Sequence, residues 1–197
     1  MAPLQPANTL PPVQRHITAH AADGSSVFLP TPPARAEWEH IKNEDDSRLA
    51  SFFLAYTTLG FPVDLNAPRA DAKPADLALY EQHLRDPPRS LAQDNASVLR
   101  YVDFPPAMTP FMHRTNSIDY GIVLEGEIEL LLDSGEKRRL RRGDVCVQRA
   151  TMHAWRNPSD HDWARMVFIL ISSAPPALAA STSSTPLPDL STEKSRL

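Results

Sequence analysis

The chain has 197 residues, of which 20 are proline and only 6 are glycine, and its formal net charge is −4 at pH 7. This length suits one domain of about 100–200 residues, and the 42% hydrophobic content is enough for a packed core. The longest apolar run, residues 166–171, is far shorter than the roughly 18 residues that span a membrane. The acidic balance argues against a general nucleic-acid binder, and the single cysteine excludes an intramolecular disulfide or a cysteine zinc cluster.

Proline is distributed unevenly along the chain. Between residues 111 and 174 there is one proline, Pro158, whereas this window holds four of the six glycines. Because proline cannot donate to a strand ladder, the window is expected to be the regular, packed part of the protein. We predict a flexible N-terminal segment over residues 1–12, a folded domain over 13–174 with its core at 98–172, and a disordered low-complexity tail over 175–197.

In the first half of the chain the pattern predicts a few strands and one helix. Residues 13–20 and 25–29 read as a short hairpin around Asp23-Gly24, and the acidic stretch 38–47 reads as a solvated loop. Residues 49–59 are aromatic and β-branched, which favours a strand. Residues 76–86 predict a helix with Asp76 as its N-cap, and residues 98–104 predict a strand that Pro105-Pro106 ends.

From Ser117 onward the sequence predicts strand after strand. The clearest alternation is at 127–132, where charged and apolar residues exchange at the period of a half-buried strand. Gly135 and Gly143 lie in turns between neighbouring runs. Regular short strands with turns between them are typical of a sandwich or barrel. The predicted strands cover residues 118–124, 127–132, 137–140, 145–148, 153–157 and 164–171.

Two stretches of this region resemble the sequence motifs of the cupin family of small β-barrels. In the first stretch, His113, Asp119 and Gly126 fall at the spacing of a histidine, the acid and the closing glycine of the motif G-x5-H-x-H-x3-E-x6-G. In the second, Gly143, His153 and Asn157 match G-x5-P-x-G-x2-H-x3-N with one residue fewer before the histidine. The run QRATMHAWRN is similar to a subgroup common among bacterial and fungal proteins, some of them near secondary-metabolite genes. The resemblance implies an all-β fold, a cupin jelly-roll-type β-barrel with N-terminal extra strands and one short helix.

The resemblance also implies a metal site, with departures from the usual ligand set. Thr115 stands at the second histidine of the first motif, and Asp119 is one methylene shorter than glutamate. The three positions that keep a ligand type are His113, Asp119 and His153. Two histidines and a carboxylate can hold Zn, Fe, Mn or Ni and leave positions open for substrate. The alternative is a cupin that has lost the metal and keeps the pocket. Among these residues, Asp119 and His153 are the candidate catalytic groups.

Five further residues are candidates for binding substrate. Thr115 shares a strand face with His113, since side chains alternate along a strand. Gln148 lies near His153, and Trp155 and Asn157 share its strand parity. Plain core packing is an equal alternative for Trp155. Either Arg100 or Tyr101 must face inward; an outward Arg100 is favoured, but an inward one would suit an anionic substrate.

A run of basic residues lies in the predicted strand 137–140 and the turn that follows it. Nucleic-acid binding is one reading, but a solvated hairpin edge is favoured, because lysine and arginine protect exposed strand edges from unwanted pairing. Acidic residues at 125, 127 and 129 are placed to neutralise the run across strands. The run consists of Lys137, Arg138, Arg139, Arg141 and Arg142.

The favoured function is a metal-dependent enzyme that acts on a small oxygenated organic molecule by decarboxylation, dehydration, isomerisation or oxygenation. The alternative is a non-catalytic module that binds a small molecule. In either case the expected partner is a small molecule, with no nucleic acid and no membrane. Resemblance to similar proteins implies a homodimer through the N-terminal strands. With one cysteine and no basic-then-apolar leader in MAPLQPANTL, a cytoplasmic location is expected.

Overall fold

The computed structural model describes residues 6–42, 48–67, 72–88, 90–177 and 193–194. Strands dominate, so the predicted all-β class with a single short helix is confirmed within this part of the chain. The elements are β1 Thr18–His20, β2 Ser26–Phe28, β3 Glu39–Lys42, β4 Arg48–Leu59, α1 Ala75–Arg85, β5 Ala96–Phe104, β6 Ser117–Glu125, β7 Glu127–Leu132, β8 Lys137–Arg141, β9 Val145–Arg149, β10 His153–Arg156, β11 Ala164–Ser172 and β12 Glu193–Lys194.

Two antiparallel sheets form the barrel. The larger sheet has seven strands in the order β12-β3-β4-β5-β11-β6-β9, and the smaller one has the order β10-β7-β8. Strands β1 and β2 pair separately as the predicted N-terminal hairpin. The N-terminal strands β3 and β4 extend the large sheet beyond β5, as the resemblance implied. The jelly-roll-type β-barrel with extra N-terminal strands is therefore confirmed.

The core lies between the two sheets. Because side chains alternate across a strand, every second residue of β5, β6 and β11 points to the same side. Val98, Val123 and Met166 fill this side from the large sheet, and Ile128 and Trp155 meet them from the small sheet. Burying these side chains against one another stabilises the pairing of the sheets by removing apolar surface from water.

The outer face of β4 and β5 is covered by the N-terminal region and by α1. Phe53 and Tyr101 pack with Trp38 on this face, and Tyr80 of α1 donates a hydrogen bond to the Leu54 carbonyl at 2.9 Å. The predicted loop over 38–47 is partly wrong here. Residues 39–42 form strand β3, since they pair with β4, and residues 43–47 lie outside the described chain.

The N-cap assignment of Asp76 is also wrong. The helix begins after Pro74 without a side-chain cap. Asp76 instead accepts a hydrogen bond of 2.6 Å from the Tyr56 hydroxyl of β4. The carboxylate therefore bonds to the sheet and not to the first turn of the helix, because Asp76 faces the sheet and is buried there.

Gly126 makes the turn between β6 and β7 possible. Its φ of +72° lies in the left-handed region, and a Cβ at this position would come within 3.0 Å of the Ala164 Cβ. Only glycine meets both demands without strain. Gly126, the closing glycine of the first motif, thus lets the turn pass close to the start of β11.

The basic hairpin is an ion-paired surface. Arg139 and Arg141 lie 3.4 and 3.3 Å from Glu127 carboxylate oxygens, and Arg142 lies 3.5 Å from Glu125. Lys137 pairs with Glu129 at 3.9 Å. The predicted neutralisation across strands is confirmed.

A buried ion pair joins the N-terminal segment to the barrel. Arg165 donates from Nε and Nη2 to the two carboxylate oxygens of Asp103, at 2.5 and 2.7 Å, on neighbouring strands β11 and β5. Asn8 donates to the same carboxylate at 2.6 Å, and Arg165 Nη1 donates to the Pro11 carbonyl at 2.5 Å. Residues 6–12, expected from composition to be flexible, are therefore fastened to two buried charges.

Other expectations about the chain ends fall mostly outside the described residues. Residues 1–5 and 178–192 of the predicted terminal segments are not described, and neither are residues 195–197. The backbone at Glu193–Lys194 pairs with β3. No helix in the described part of the chain has the length and apolar content needed to cross a membrane. The homodimer expected through the N-terminal strands stays a prediction.

We predict that Asp103→Ala lowers the free energy of unfolding by about 3–5 kcal/mol, because it leaves the buried Arg165 charge without its partner. The matched control is Glu136→Ala, which breaks an exposed pair with Arg138 at 3.8 Å and is expected to cost less than about 1 kcal/mol. Urea unfolding of the two variants measures both effects. Equal, small changes in both would contradict a structural role for the buried pair.

Candidate functional site

A small cavity of about 100 Å³ lies between the two sheets. Its walls are mainly aliphatic and aromatic side chains from the inner face of the large sheet, closed on the other side by β10 and by the segments before β5 and β6. Concave apolar spaces with a few polar groups are the usual form of small-molecule sites. The lining residues are Ile41, Leu49, Ala50, Phe52, Leu91, Arg100, Val102, Phe104, Met108, Phe111, His113, Thr115, Asp119, His153, Trp155, Phe168 and Leu170.

His113 and His153 lie side by side at one end of this cavity. Their backbones form an antiparallel bridge, with His113 N donating to the His153 carbonyl at 2.8 Å and His153 N donating back at 2.9 Å. Residues that exchange both backbone hydrogen bonds project their side chains to the same face. The ring centroids are accordingly 4.4 Å apart. Residues 40 positions apart in sequence are thus brought together by main-chain hydrogen bonds.

The hydrogen bonds of the two rings leave one nitrogen of each ring available. His113 Nδ1 lies 3.1 Å from the Phe111 carbonyl oxygen, and His153 Nδ1 lies 2.9 Å from that of Thr151. Because a carbonyl only accepts, each Nδ1 carries the hydrogen and each Nε2 keeps its lone pair. Burial lowers the pKa of His113, and burial together with the neighbouring His113 lowers the pKa of His153 to about 4. Both rings are therefore neutral at pH 7.

Asp119 supplies a carboxylate to the same cavity from β6. Its Oδ2 accepts a hydrogen bond of 3.3 Å from Thr115, and Ser117 in turn donates to the Thr115 hydroxyl oxygen at 2.9 Å. The other oxygen, Oδ1, is buried and has no hydrogen-bond partner among the described residues. Burial raises the pKa of this carboxyl, against the opposing effect of the Ser117 and Thr115 hydroxyls. An unpartnered buried oxygen beside a cavity indicates a place for a ligand atom.

The donor chemistry of these three residues fits a divalent transition metal. Two neutral imidazoles with free Nε2 atoms and one free carboxylate oxygen line one cavity, and their Nδ1–carbonyl bonds are the outer contacts that orient metal-binding histidines. The two histidine rings already lie side by side, with 4.4 Å between their centroids. Within the described chain, however, no group of three or more His, Cys, Asp or Glu side chains is close enough to hold an ion.

Arg100 faces the cavity, so the favoured outward orientation is wrong. It is only 7% exposed, and its guanidinium carbon lies 5.1 Å from the centre of the Phe52 ring. The reason is register: Arg100 pairs with Phe168, whose side chain is also inside. The signal in the sequence is the apolar series at alternate positions of β5, which includes Val98, Val102 and Phe104 on the same side.

Trp155 belongs to the cavity wall and to the core at once. Its ring meets His153 edge-on at 5.6 Å and Phe168 at 5.4 Å between ring centroids. The two interpretations weighed for this residue are therefore both correct, since one face of a large ring can pack while another lines a cavity. Thr115 also lines the cavity, as expected from its parity with His113.

Gln148 and Asn157, predicted to bind substrate, are not among the residues that line this cavity. Gln148 is opposite Asp119 in the β6–β9 register, but its amide donates to the Thr151 hydroxyl. Asn157 comes after β10 has ended and donates to the carbonyls of Phe104 and Asp162, at 3.1 and 2.7 Å. Asn157 holds the loop before β11 in place. The alternation of side chains did not predict this role, because it applies only within the strand, which ends at Arg156.

Several lining residues were missed by reasoning on the two motifs alone. Ile41, Ala50 and Phe52 come from the added strands β3 and β4, and Leu91 and Met108 come from connecting segments. The apolar character of 49–59 predicted a buried strand there but not which of its faces meets the cavity, and a β-bulge between Leu54 and Tyr56 interrupts the alternation further along the strand. A bulge of this kind changes the inward set without a clear mark in the sequence.

Two antiparallel sheets that enclose an apolar cavity with paired histidines, a carboxylate and an arginine define a small β-barrel protein. Comparison with known proteins agrees: the Cupin domain family model matches residues 100–170. The chain is 42% identical over 170 residues to the oryzines biosynthesis cluster protein J of Aspergillus oryzae, covering 86% of this chain and 88% of that protein.

Two further relatives support the same assignment. The phomopsin biosynthesis cluster protein C' of Diaporthe leptostromiformis is 46% identical over 161 residues, covering 82% of this chain and 79% of the relative. The cupin-domain-containing oxidoreductase virC of Hypocrea virens is 38% identical over 172 residues, covering 86% and 81%. The chain belongs to the cupin family.

The lowered pKa of His153 predicts a pH dependence of stability in metal-free protein. The folded state disfavours the protonated ring. The free energy of unfolding is therefore at its full value above the ordinary histidine pKa of 6.5, and it decreases as pH falls toward the lowered pKa of about 4. We expect His153 to cost the fold up to about 3 kcal/mol over that range. His153→Gln should remove this loss, whereas the exposed control His20→Gln should keep it. Urea unfolding of chelator-treated protein at about pH 7 and about pH 4.5 measures the difference; identical pH dependence in all three proteins would contradict the prediction.

Proposed function

We propose that this chain is a metal-dependent cupin enzyme that oxidises a small oxygenated organic molecule, with dioxygen as the electron acceptor, in the biosynthesis of a secondary metabolite. The observation that carries the proposal is the polar end of the cavity, where two imidazole Nε2 atoms and one carboxylate oxygen have no hydrogen-bond partner among the described residues. The oxidative class and the biosynthetic setting rest on relatives that are named as oxidoreductases and as biosynthesis cluster proteins.

In this proposal His113, His153 and Asp119 hold the ion. When bound, a divalent metal supplies Lewis-acid stabilisation of negative charge on a substrate oxygen, and electron transfer if the ion is iron or manganese. The protein keeps both imidazoles neutral and fixed, because each Nδ1–H is held by a carbonyl. Thr115 orients Asp119 through its hydroxyl, and Asp119 Oδ1 remains free to engage the ion or to accept a substrate proton.

The apolar walls contribute to the same chemistry. Phe104, Phe168 and Trp155 line the same cavity with apolar ring surface. A water-poor environment strengthens every charge interaction with a developing anion and protects a reactive intermediate from hydrolysis. Binding of the apolar part of the substrate also orients its oxygen toward the histidines.

A non-catalytic binding module is the second candidate. It is favoured by the fact that three ligands are not assembled within the described residues. In that case the cavity retains a small molecule by apolar contact, and the histidines act as hydrogen-bond acceptors only.

The first prediction of the enzyme proposal concerns metal content. Protein purified after loading with Fe(II), Mn(II), Zn(II) or Ni(II), one at a time, should retain one ion per chain for at least one of these metals. His113→Gln and His153→Gln should each lower the affinity for the metal by more than about tenfold, because replacing even a residue that only orients a metal ligand has an effect of about that size. Asp119→Asn should lower it as well. Elemental analysis checks this, with the exposed His20→Gln as control; equal metal in all four variants would exclude these ligands.

The second prediction separates the enzyme from the binding module. A panel of enolisable ketones and hydroxy acids is incubated with the metal-loaded protein, and products are identified by mass spectrometry. For the enzyme, conversion stops on chelation and returns when one metal is added back. Binding that persists under chelation with no conversion by any loaded form would favour the module.

A further inference from the structure

Arg100 is a charge that the proposed metal chemistry does not use. It lies on β5 in the wall of the cavity, 7% exposed, among Phe52, Val102 and Phe168. Its Nε is buried and has no hydrogen-bond partner among the described residues. A buried polar group without a hydrogen-bond partner is costly. A site that keeps such a group is one where a bound molecule completes it.

The surroundings keep Arg100 charged without using up its donors. Phe52 offers a ring face at 5.1 Å from the guanidinium carbon, which favours the cation but accepts no ordinary hydrogen bond. Burial lowers the pKa of Arg100 to about 10, and the negative charge of Glu39 on β3 acts in the opposite direction. The side chain therefore remains a cation at pH 7, while its Nε hydrogen has no acceptor in the part of the chain that the structure describes.

The one acidic group on its own strand does not neutralise it. Asp103, three residues further on β5, is engaged in both oxygens by Arg165 and by Asn8. Asp119 lines the same cavity, but β11 lies between its strand and β5. Since neighbouring strands are roughly 4.8 Å apart, the two backbones are about 10 Å apart. The cavity thus has an acceptor end at His113, Asp119 and His153, and a donor end at Arg100.

The cationic side chain of the lining indicates which anion fits at this end of the cavity. Arg100 is the one arginine among the described lining residues, and no lysine is present. One guanidinium matches one planar monoanion, and its fork suits a carboxylate in a bidentate contact. A phosphate ester, with more charge and more oxygens, would remain unsatisfied among these apolar walls.

We propose that the substrate is a small amphipathic carboxylate, whose carboxylate is bound by Arg100 and whose apolar body places the reacting carbon against His113, Asp119 and His153. The proposal rests on the cavity being the substrate site of the proposed enzyme. Arg100 is then the residue that determines specificity for the acid.

The test compares acids with neutral molecules of the same shape. Full-length protein, both untreated and dialysed against a chelator, is titrated with phenylacetate and phenylacetamide, and with hexanoate and hexanamide, by calorimetry and NMR. Wild-type protein should bind each acid at least about tenfold more tightly than its amide. Arg100→Met should bring the acid to the level of the amide, and Arg100→Lys should keep part of the preference, since lysine retains charge but not the fork. Arg138→Met, on the exposed hairpin, is the control and should behave as wild type.

The outcomes distinguish this inference from the metal proposal. A preference for acids that survives chelation and disappears in Arg100→Met supports the inference even if no metal binds. A preference that disappears on chelation assigns the carboxylate to the metal and overturns it. Equal affinity of acid and amide in wild-type protein also overturns it. If Arg100→Met does not fold, the wild-type pairs and Arg100→Lys still decide the question.

Discussion

The backbone bridge between His113 and His153 is the contact on which the site depends. One partner lies just before β6 of the large sheet, and the other begins β10 of the small sheet. Their two main-chain hydrogen bonds join the sheets at one corner. Side chains of any kind would be held together there, because the bridge is made by backbone atoms. The sequence needs only to place histidines at these two positions for a pair of imidazoles to face the cavity.

The cavity concentrates the groups that a core ordinarily excludes. Arg100, Asp119 and His153 are all less than a tenth exposed, and two of them keep polar atoms that have no partner among the described residues. In the pair of Arg165 and Asp103, by contrast, buried charge is matched: the two side chains share two hydrogen bonds and make further ones with the N-terminal segment. The contrast separates two uses of burial. Matched charges fasten the fold, whereas unmatched ones in a cavity keep binding capacity for another molecule.

Much of this arrangement could be predicted from the sequence, and the exceptions have physical causes. Spacing was enough to place His113, Asp119 and His153 on one cavity, since strand period and motif agree. Parity failed where a strand had ended, as at Asn157, and where the favoured face was chosen from charge, as at Arg100. In the second case the apolar neighbours in β5 were the better guide. Strand β3 was missed because its acidic surroundings resemble a loop, and its pairing with β4 is a long-range event that no local pattern records.

The polar contacts of the N-terminal segment define what counts as one folding unit. The family match covers residues 100–170, yet part of the cavity wall comes from Ile41 and Phe52, and the indole of Trp163 donates to the Pro6 carbonyl at 3.0 Å. A fragment trimmed to the matched region would therefore have an open-sided barrel with an exposed sheet edge at β5. The stretch that the family model matches is shorter than the part of the chain that encloses the cavity, and the N-terminal residues belong to that longer part.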